Sequence, residues 1–262
     1  MTKILDCTIR DGGHVNNWEF SDECILASLD AAEKSSIDYF EVGYTMPDCV
    51  KKSSVKLVLM INASALRSVD EKVDCIRVAC YPDEIEIGMK ACEDYNKIGY
   101  EVFLHLMTAD KLSDEHYVLL KNWQKKDILT SIYYADSFGS FLPSDVEKIY
   151  NKLKNCGYKN ISFHGHNNLQ LAFANSIKAI ELGAYSIDAT TFGIGRGAGN
   201  LPIELLMHYF KFDSSAYLKI VEKYFEPLQL KYRWGYSYKN LIGGINNIHP
   251  REIDKFLSHV NV

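Results

Sequence analysis

The 262-residue sequence has no apolar stretch that approaches the length of a membrane span. Its first residues lack the charged, apolar and small-residue regions of a secretory signal, so we expect a cytoplasmic protein with no membrane partner. Low-complexity segments, internal repeats and interdomain linkers are also absent. A chain of this length is commonly one barrel.

The cysteines do not form a redox or zinc-finger pattern. There are seven, an odd number, and no Cys-x-x-Cys occurs. Most of them lie inside apolar segments, which predicts reduced core residues rather than a disulfide framework. An excess of basic residues is absent too: the formal net charge is −5, which argues against nucleic acid as a partner.

Strand-like and helix-like segments alternate along most of the chain, which is typical of an α/β fold with a parallel sheet. The predicted strands are Lys3–Ile9, Asp38–Tyr44, Leu57–Ile61, Cys75–Tyr81, Glu101–Met107, Ile128–Asp136, Asn160–His166 and Tyr185–Phe192. The predicted helices are Asp22–Lys34, Asp83–Ile98, Asp114–Lys125, Pro143–Cys156 and Leu169–Leu182, with short links after the second and third strands.

Eight strands in this succession favour a TIM (β/α)8 barrel over a doubly wound sheet. We therefore expect a barrel over residues 1–213, followed by a helical C-terminal extension over residues 214–262. Helical patterns in that extension lie near Ala216–Glu226 and Pro250–Val260. The extension is expected to cover or complete the site.

A pair of histidines at the end of the seventh strand is the strongest sign of chemistry. Successive strand side chains alternate between faces, so His164 and His166 share one face. Two imidazoles so placed can hold one metal ion with an acidic third ligand. The alternative is a pair of histidines that only make hydrogen bonds.

The third ligand is expected to be Asp11, just beyond the first strand, because strands one and seven of a closed barrel are separated only by strand eight. Asp136 and Asp188 are competing carboxylates. Arg10 beside a metal would need a counter-charge, which inward-facing Glu41 can supply. This pair is either a structural ion pair or a means of holding Arg10 to stabilise an oxyanion.

Alternation also predicts which polar side chains line the mouth of the barrel. Asp6, Thr8 and Arg10 are expected to face inward from the first strand, with Leu5, Cys7 and Ile9 packing outward. Inward polar faces are likewise expected on the sixth strand (Thr130, Tyr134, Asp136) and the eighth strand (Ser186, Asp188, Thr190). From these regions we expect Asp136, Ser137 and Asp188 to contact the substrate.

A glycine-rich stretch from Gly193 to Asn200 follows the eighth strand, where many barrels bind phosphate or carboxylate. It is not a P-loop, because no Gly-Lys-Ser/Thr follows. We expect Gly195 and Gly197 to let backbone approach the substrate, and Asn200 to be a polar anchor or an extra metal contact. The alternative is a tight turn that only needs glycine.

Four motifs in order resemble the DRE-TIM metallolyase (HMGL-like) family, over about residues 4–210. They are Asp6-Cys7-Thr8-Ile9-Arg10-Asp11-Gly12, Phe40-Glu41-Val42-Gly43, Phe163-His164-Gly165-His166-Asn167-Asn168, and the glycine stretch continued to Glu204. Within the family, Gly12-Gly13-His14 is most similar to 4-hydroxy-2-oxo acid aldolases. That resemblance implies that His14 is the catalytic base and that a tyrosine of the extension, Tyr236 or Tyr238, lines the site.

The resemblance implies a metal-dependent carbon–carbon lyase that forms or cleaves a 4-hydroxy-2-oxo acid through a metal-bound, pyruvate-type enolate. One divalent ion is expected, manganese before magnesium, cobalt or zinc. A 2-oxo acid and an aldehyde are the expected partners. A homo-oligomer is possible, whereas a partner dehydrogenase is not expected, because the chain is shorter than those aldolases. The alternatives are a Claisen-type acyl-CoA synthase, a metal-dependent hydrolase and a non-catalytic barrel subunit.

Overall fold

Eight parallel strands close into a barrel in chain order in the computed structural model, which describes residues 1–248 and 252–259. The strands are β1 Lys3–Asp6, β2 Tyr39–Gly43, β3 Lys56–Asn62, β4 Cys75–Cys80, β5 Glu101–Leu106, β6 Leu129–Asp136, β7 Ile161–Gly165 and β8 Ser186–Ala189. Closure comes from the pairing of β8 with β1. The predicted TIM barrel is confirmed.

Helices surround the barrel, and most begin and end close to their predicted bounds. They are α1 Thr8–Asn16, α2 Asp22–Lys34, α3 Ile85–Lys97, α4 Asp114–Asn122, α5 Pro143–Asn155, α6 Ala172–Glu181, α7 Ile203–Phe210, α8 Ser215–Ile220, α9 Glu226–Tyr232, α10 Tyr238–Ile245 and α11 Ile253–His259. A π-helical turn, Val221–Phe225, joins α8 to α9. The ends of the helix predicted near Pro250–Val260 lie outside the described residues. No helix in the described part of the chain is both long and apolar enough to cross a bilayer.

The barrel interior is identified by rings that meet across it. Tyr39 on β2 and Phe103 on β5 lie 5.3 Å apart between ring centroids although their strands are not neighbours. Leu5 and Cys7 belong to this same buried cluster. The expected facing of the first strand is therefore wrong, since these two side chains point inward and Asp6 points toward the helices.

The first strand is also shorter than predicted, because it ends at Asp6 and α1 begins at Thr8. The Asp6 carboxylate accepts the backbone N–H of Thr8 at 2.8 Å. A carboxylate that binds the amide two residues on turns the chain locally. This turn converts the strand into a helix and sets Arg10 and Asp11 on the first turns of α1, above the barrel.

The sixth strand is likewise rotated relative to expectation. Tyr133 lies inside the barrel, whereas the Tyr134 hydroxyl donates to the Val146 carbonyl on α5 at 3.4 Å. Asp136 accepts the backbone N–H groups of Ser140 and Phe141 at 2.9 and 3.0 Å. The prediction that Tyr134 and Asp136 face the interior is wrong.

The segment after residue 213 packs directly on the barrel. Tyr217 of α8 is fully buried, and its hydroxyl donates to Asp6 Oδ2 at 2.8 Å. Packing is thus continuous across residue 213, and the division of the chain there stays a prediction.

Candidate metal centre and active site

Three side chains converge above the barrel where β1 and β7 end. Asp11 Oδ2 lies 3.5 Å from His164 Nε2 and 3.6 Å from His166 Nε2. Asp11 and His164 are at most 2% exposed. No hydrogen-bond donor satisfies Asp11 Oδ2 among the described residues. The predicted trio is therefore brought together, with one buried oxygen left unpaired at its centre.

Both imidazoles are oriented by hydrogen bonds on their far side. His164 Nδ1 donates to Asp188 Oδ2 at 2.8 Å, and His166 Nδ1 donates to the Asp136 carbonyl oxygen at 2.8 Å. In the neutral rings each Nδ1 therefore carries the proton, and each Nε2 has a lone pair on the side of Asp11. Metal-binding histidines in proteins are fixed in this way.

The charges of the trio favour a cation. Burial acts to raise the pKa of Asp11, but the Arg10 guanidinium and the two histidines hold it well below its ordinary value. Burial lowers the pKa of His166. His164 has a raised pKa, because Asp11 and Asp188 outweigh the opposing effect of burial. Asp11 is thus ionised. The negative charges of Asp11 and Asp188 favour a positive charge at the two histidines.

The arrangement fits a divalent ion. Ligand atoms about 2.0–2.2 Å from one ion lie roughly 3.0–3.6 Å apart, and the measured separations of 3.5 and 3.6 Å fall in that range. A second group, formed by Cys7, His164 and Asp188, is also close enough. It is a poorer site, because burial raises the pKa of the Cys7 thiol, which donates to the Ala189 carbonyl.

Asn200 lies beside the trio, since its backbone forms a β-bridge with His166. Its amide nitrogen donates to the Ile194 carbonyl at 2.9 Å. Its buried Oδ1 has no partner within the described residues. Gly195 allows this placement, because a Cβ there would lie 2.2 Å from Asn200 Nδ2. The orphaned oxygen suits an additional metal contact.

Arg10 is held on two sides and leaves one donor unused. Its Nε donates to Glu41 Oε2 at 2.6 Å and its Nη1 donates to Asp11 Oδ1 at 2.8 Å. Arg10 Nη2 is buried without an acceptor among the residues described. Glu41, inward-facing as predicted, is fully buried. The guanidinium can thus give one hydrogen bond to a ligand.

Beneath this pair lies Arg77 of β4, which sequence reasoning missed. Its guanidinium contacts Glu41 at 3.4 Å, donates to Asp188 and His105, and stacks 4.0 Å from the Tyr133 ring centroid. It is fully buried. An arginine within the apolar strand Cys75–Cys80 was the available signal, because such a cation requires buried partners.

His105 of β5 was also missed. Its Nδ1 accepts from Arg77 Nη2 at 2.8 Å, and its ring lies 5.6 Å from that of His164. Burial and the neighbouring Arg77 hold the pKa of His105 well below its ordinary value, so the ring is neutral.

His14 stands at the rim of the same cavity, as part of an aromatic group. Its ring lies 4.6 Å from Trp18 and 6.0 Å from Tyr44, and the Tyr44 hydroxyl is 3.4 Å from His14 Nε2. Trp18 Nε1 donates to the Arg10 carbonyl at 3.0 Å. Burial raises the pKa of Tyr44. Tyr44 directly follows β2, and sequence reasoning gave it no role in the site.

Two carboxylates expected to contact the substrate are bound to groups of the protein. The Asp136 carboxylate anchors the loop after β6, and only its backbone carbonyl reaches the site, through His166. Asp188 lies behind His164 and is bound to Arg77. Both oxygens of the Asp136 carboxylate meet backbone N–H groups, so the expectation that this carboxylate faces a substrate is wrong. Asp188 Oδ1 has no partner among the described residues, and the expectation for Asp188 stays a prediction.

The other predicted contacts divide between two cavities. Ser137 lines the cavity of the metal trio, and its hydroxyl accepts the Thr108 N–H at 2.8 Å. The hydroxyl proton is thus available to a ligand. Gly195 and Gly197 line an adjacent cavity instead.

The two tyrosines expected to line the site, Tyr236 and Tyr238, do not reach it. Tyr236 is 62% exposed and Tyr238 is 55% exposed, and neither lines these two cavities in the part of the chain that is described. The neighbouring Trp234 is buried instead, and its Nε1 donates to the Phe192 carbonyl at 3.1 Å. The expectation for Tyr236 is wrong in this structure, since its side chain is mostly in solvent.

Comparison with known proteins supports the same family as the motifs. The protein-family model described as HMGL-like matches residues 85–217. The chain belongs to the HMGL-like family. The resemblance to DRE-TIM metallolyases is thereby confirmed, and the family includes enzymes of the lyase and aldolase type.

Relatives in this family carry two different names. A 4-hydroxy-2-oxovalerate aldolase of Pectobacterium atrosepticum is 30% identical over 241 residues, which cover 80% of this chain and 70% of that protein. An oxaloacetate decarboxylase of Mycobacterium tuberculosis is 26% identical over 230 residues, covering 78% and 68%.

Solved structures agree with the fold. The N-terminal domain of a provisionally named aldolase from Bacteroides vulgatus superposes with a TM-score of 0.85 at 31% identity, covering 98% of this chain and 97% of that one. An HMG-CoA lyase of Bacillus subtilis gives a TM-score of 0.73 at 14% identity, covering 92% and 96%. The second likeness concerns the fold alone.

Proposed function

We propose that this protein is a divalent-metal-dependent carbon–carbon lyase that cleaves or forms a 4-hydroxy-2-oxo acid. The observation that carries the proposal is the convergence of two imidazole Nε2 atoms on the unpaired Asp11 Oδ2. Three electron-pair donors that face one another in a buried site favour a cation among them. The unpaired donor of Arg10 in the same cavity adds a place for developing negative charge.

Asp11, His164 and His166 would hold the ion, with the Asn200 amide oxygen as a further contact. When bound, a divalent ion supplies Lewis-acid polarisation of the carboxylate and ketone oxygens of a 2-oxo acid. We propose manganese, with magnesium, cobalt and zinc as the alternatives, because this ligand set suits several ions.

Arg10 is proposed to stabilise the oxyanion. Its Nε and Nη1 are occupied by Glu41 and Asp11, so its orientation is fixed before substrate binds. Its Nη2 would donate to the ketone oxygen as that atom gains charge. A donor held in place in a buried site acts without reorganisation during the reaction.

His14 is proposed to move the proton of the C4 hydroxyl. In cleavage, His14 accepts that proton, the C3–C4 bond breaks, and the aldehyde carbonyl forms. The electron pair remains on C3 as the enolate of pyruvate, and protonation of C3 completes the product. Tyr44, 3.4 Å from His14 Nε2, is placed to orient the imidazole.

Two of the alternatives, a Claisen-type synthase and a decarboxylase, share the enolate. A Claisen-type synthase would use an acyl-CoA, and a decarboxylase would release carbon dioxide from a 3-carboxy-2-oxo acid. A non-catalytic barrel would have no need of a cation site. The possibility of a homo-oligomer and the expected absence of a partner dehydrogenase stay predictions.

The test is to incubate the purified protein with pyruvate and a panel of aldehydes, with and without Mn²⁺, and to identify products by mass. We expect a product of pyruvate plus aldehyde that requires the ion. His164→Ala should lose both bound metal and product. His208→Ala is the matched control, because His208 is exposed on α7.

Two results would reject the proposal. One is equal metal content in the wild type and His164→Ala. The other comes from supplying acyl-CoA or oxaloacetate in the same assay. Product formed only from acyl-CoA, or carbon dioxide released from oxaloacetate with no aldehyde used, would favour an alternative.

A further inference from the structure

A second cavity opens beside the metal cavity, and the two share His14 and Arg196 as lining residues. The second encloses about 360 Å³, within the range of about 300–1,000 Å³ of small-molecule sites. Since the proposed proton acceptor stands between them, a substrate whose C4 hydroxyl meets His14 extends its remaining carbon chain into the second cavity.

The second cavity is cationic. Arg196, Arg233 and Lys239 line it, and none of the described lining residues is acidic. Lys239 is paired with Asp254 of α11 at 2.5 Å, but the lysine side chain is 43% exposed and the aspartate 78% exposed, so water weakens the pair. The chain as a whole has a net charge of −5. The local cluster is thus opposite in sign to the molecule.

The segment that carries Arg233 and Lys239 is fixed to the glycine loop. Gly235 N donates to the Gly197 carbonyl at 3.0 Å, and the Asn240 side chain donates to the Gly235 carbonyl at 2.8 Å. Asn168, close to the His-x-His strand, donates to the Asn240 carbonyl at 3.0 Å. The cationic cavity is therefore formed before a ligand arrives.

We propose that the cationic cavity, defined by Arg196, Arg233 and Lys239, binds a phosphate or carboxylate group at the far end of the aldehyde half of the substrate. This inference rests on the proposed aldolase function and names its substrate class. Arginine suits both groups, because its planar guanidinium can give two parallel hydrogen bonds to such oxygens. Gly195 and Gly197 contribute backbone to the wall of the cavity.

The test uses aldehydes in matched pairs with pyruvate and Mn²⁺. Glyceraldehyde 3-phosphate is compared with glyceraldehyde, and succinic semialdehyde with butanal. We expect kcat/KM to be about 10–100-fold higher for the charged member of at least one pair, the range of one charge-assisted hydrogen bond. Which pair shows the preference distinguishes phosphate from carboxylate.

Variants assign the preference to the cavity. Arg196→Gln and Arg233→Gln should each reduce the charged-to-neutral ratio about 10-fold or more. Lys231→Gln removes a nearby exposed charge that does not line the cavity and should keep the ratio. As a measurement independent of turnover, calorimetry on metal-free protein should detect binding of glycerol 3-phosphate that Arg196→Gln weakens.

Equal kcat/KM within both pairs would overturn the inference and leave the aldolase proposal intact, and so would a preference that survives both arginine variants. If none of the four aldehydes reacts, the aldolase proposal fails for these compounds. Calorimetry then decides whether the cavity binds an anion. For this purpose succinate is titrated beside glycerol 3-phosphate. If neither compound binds, the proposed anion-binding role of the cavity is rejected.

Discussion

At the scale of single residues, the site brings together polar atoms that the protein leaves unsatisfied. Asp11 Oδ2, Arg10 Nη2 and Asn200 Oδ1 are buried without partners in the described chain. Each such group costs about 1–3 kcal/mol when it stays unpaired. Unpaired groups of both signs in one small region indicate a place built for a ligand.

Arg10→Lys should lower kcat by about 10²–10³, the usual loss for one oxyanion donor. A lysine ammonium has three N–H groups, but they belong to one nitrogen and do not reproduce the planar fork of donors that reaches Glu41, Asp11 and a ligand at once. Metal content should be unchanged. Lys90→Arg is the control, because it exchanges the same residue types at an exposed position paired with Asp94 on α3. A mild effect of Arg10→Lys on turnover would remove the oxyanion role.

His14→Ala should suppress cleavage of a 4-hydroxy-2-oxo acid by about 10²–10⁴, the range of general acid–base catalysis. Metal content should barely change, because His14 is not in the ligand trio. Retro-aldol cleavage and metal analysis are measured in parallel. Full activity would exclude His14 from the mechanism, and loss of metal would move it into the ligand set.

At the scale of elements, the buried cation of β4 joins the site to the barrel. Arg77 lies between the carboxylates of Glu41 and Asp188, which in turn hold Arg10 and His164. One residue of the barrel interior therefore fixes both the oxyanion donor and a proposed metal ligand.

Arg77→Met should lower the free energy of unfolding by roughly 3–5 kcal/mol, because buried Asp188 loses its guanidinium partner and Glu41 is left with Arg10 alone. The matched control is Arg67→Met, which removes an exposed ion pair and should cost less than about 1 kcal/mol. Urea unfolding of both variants measures the difference. Similar losses in the two would show that Arg77 does not balance these carboxylates.

How far sequence reasoning reached differs from element to element. The His-x-His strand was placed correctly because alternation over a regular strand fixes facing. The prediction for the first strand failed because Asp6 turns the chain after four residues. The helix that follows was not predicted, because Gly12 and Gly13 have low helix propensity. A Cβ on Gly12 would lie 2.7 Å from Ile194, so close packing explains glycine there. Such contacts between distant segments are invisible in a single sequence.

Asp6 gives a pH-dependent test of how β1 is joined to α8. Burial raises the pKa of Asp6 to about 6, against the hydrogen bonds from Thr8 and Tyr217. The folded state therefore holds this proton more tightly than the unfolded state. Its contribution to stability is complete below pH about 4 and is lost as the pH rises through about 6.

Asp6→Asn removes this titration and keeps an oxygen for Thr8. The free energy of unfolding of the variant minus that of the wild type should increase by about 1 kcal/mol from pH 5 to pH 8. Urea unfolding at both pH values measures it. Asp127→Asn, an exposed aspartate, is the control. Parallel changes in the wild type and Asp6→Asn would contradict the assignment.

At the scale of the whole molecule, the ligands stand on a barrel that closes without them. The pairing of β8 with β1 is made by backbone hydrogen bonds and completes the ring of strands. The apolar residues between barrel and helices form one continuous core. The three proposed ligands lie above the barrel, Asp11 on α1 and the two histidines where β7 ends, so the ion is expected to be needed for chemistry more than for folding.

Removal of the metal with a chelator should therefore abolish activity and leave the far-ultraviolet circular dichroism at 25 °C unchanged. A ligand at 100 times its Kd stabilises by about 2.7 kcal/mol, so Tm should fall by about 5–10 °C for a chain of this size. His164→Ala provides the control, because a protein that binds no ion at the trio should show no change in Tm on chelation. Loss of helical signal at 25 °C would mean that the ion is part of the fold. An equal fall in Tm for His164→Ala would place the bound ion elsewhere in the molecule.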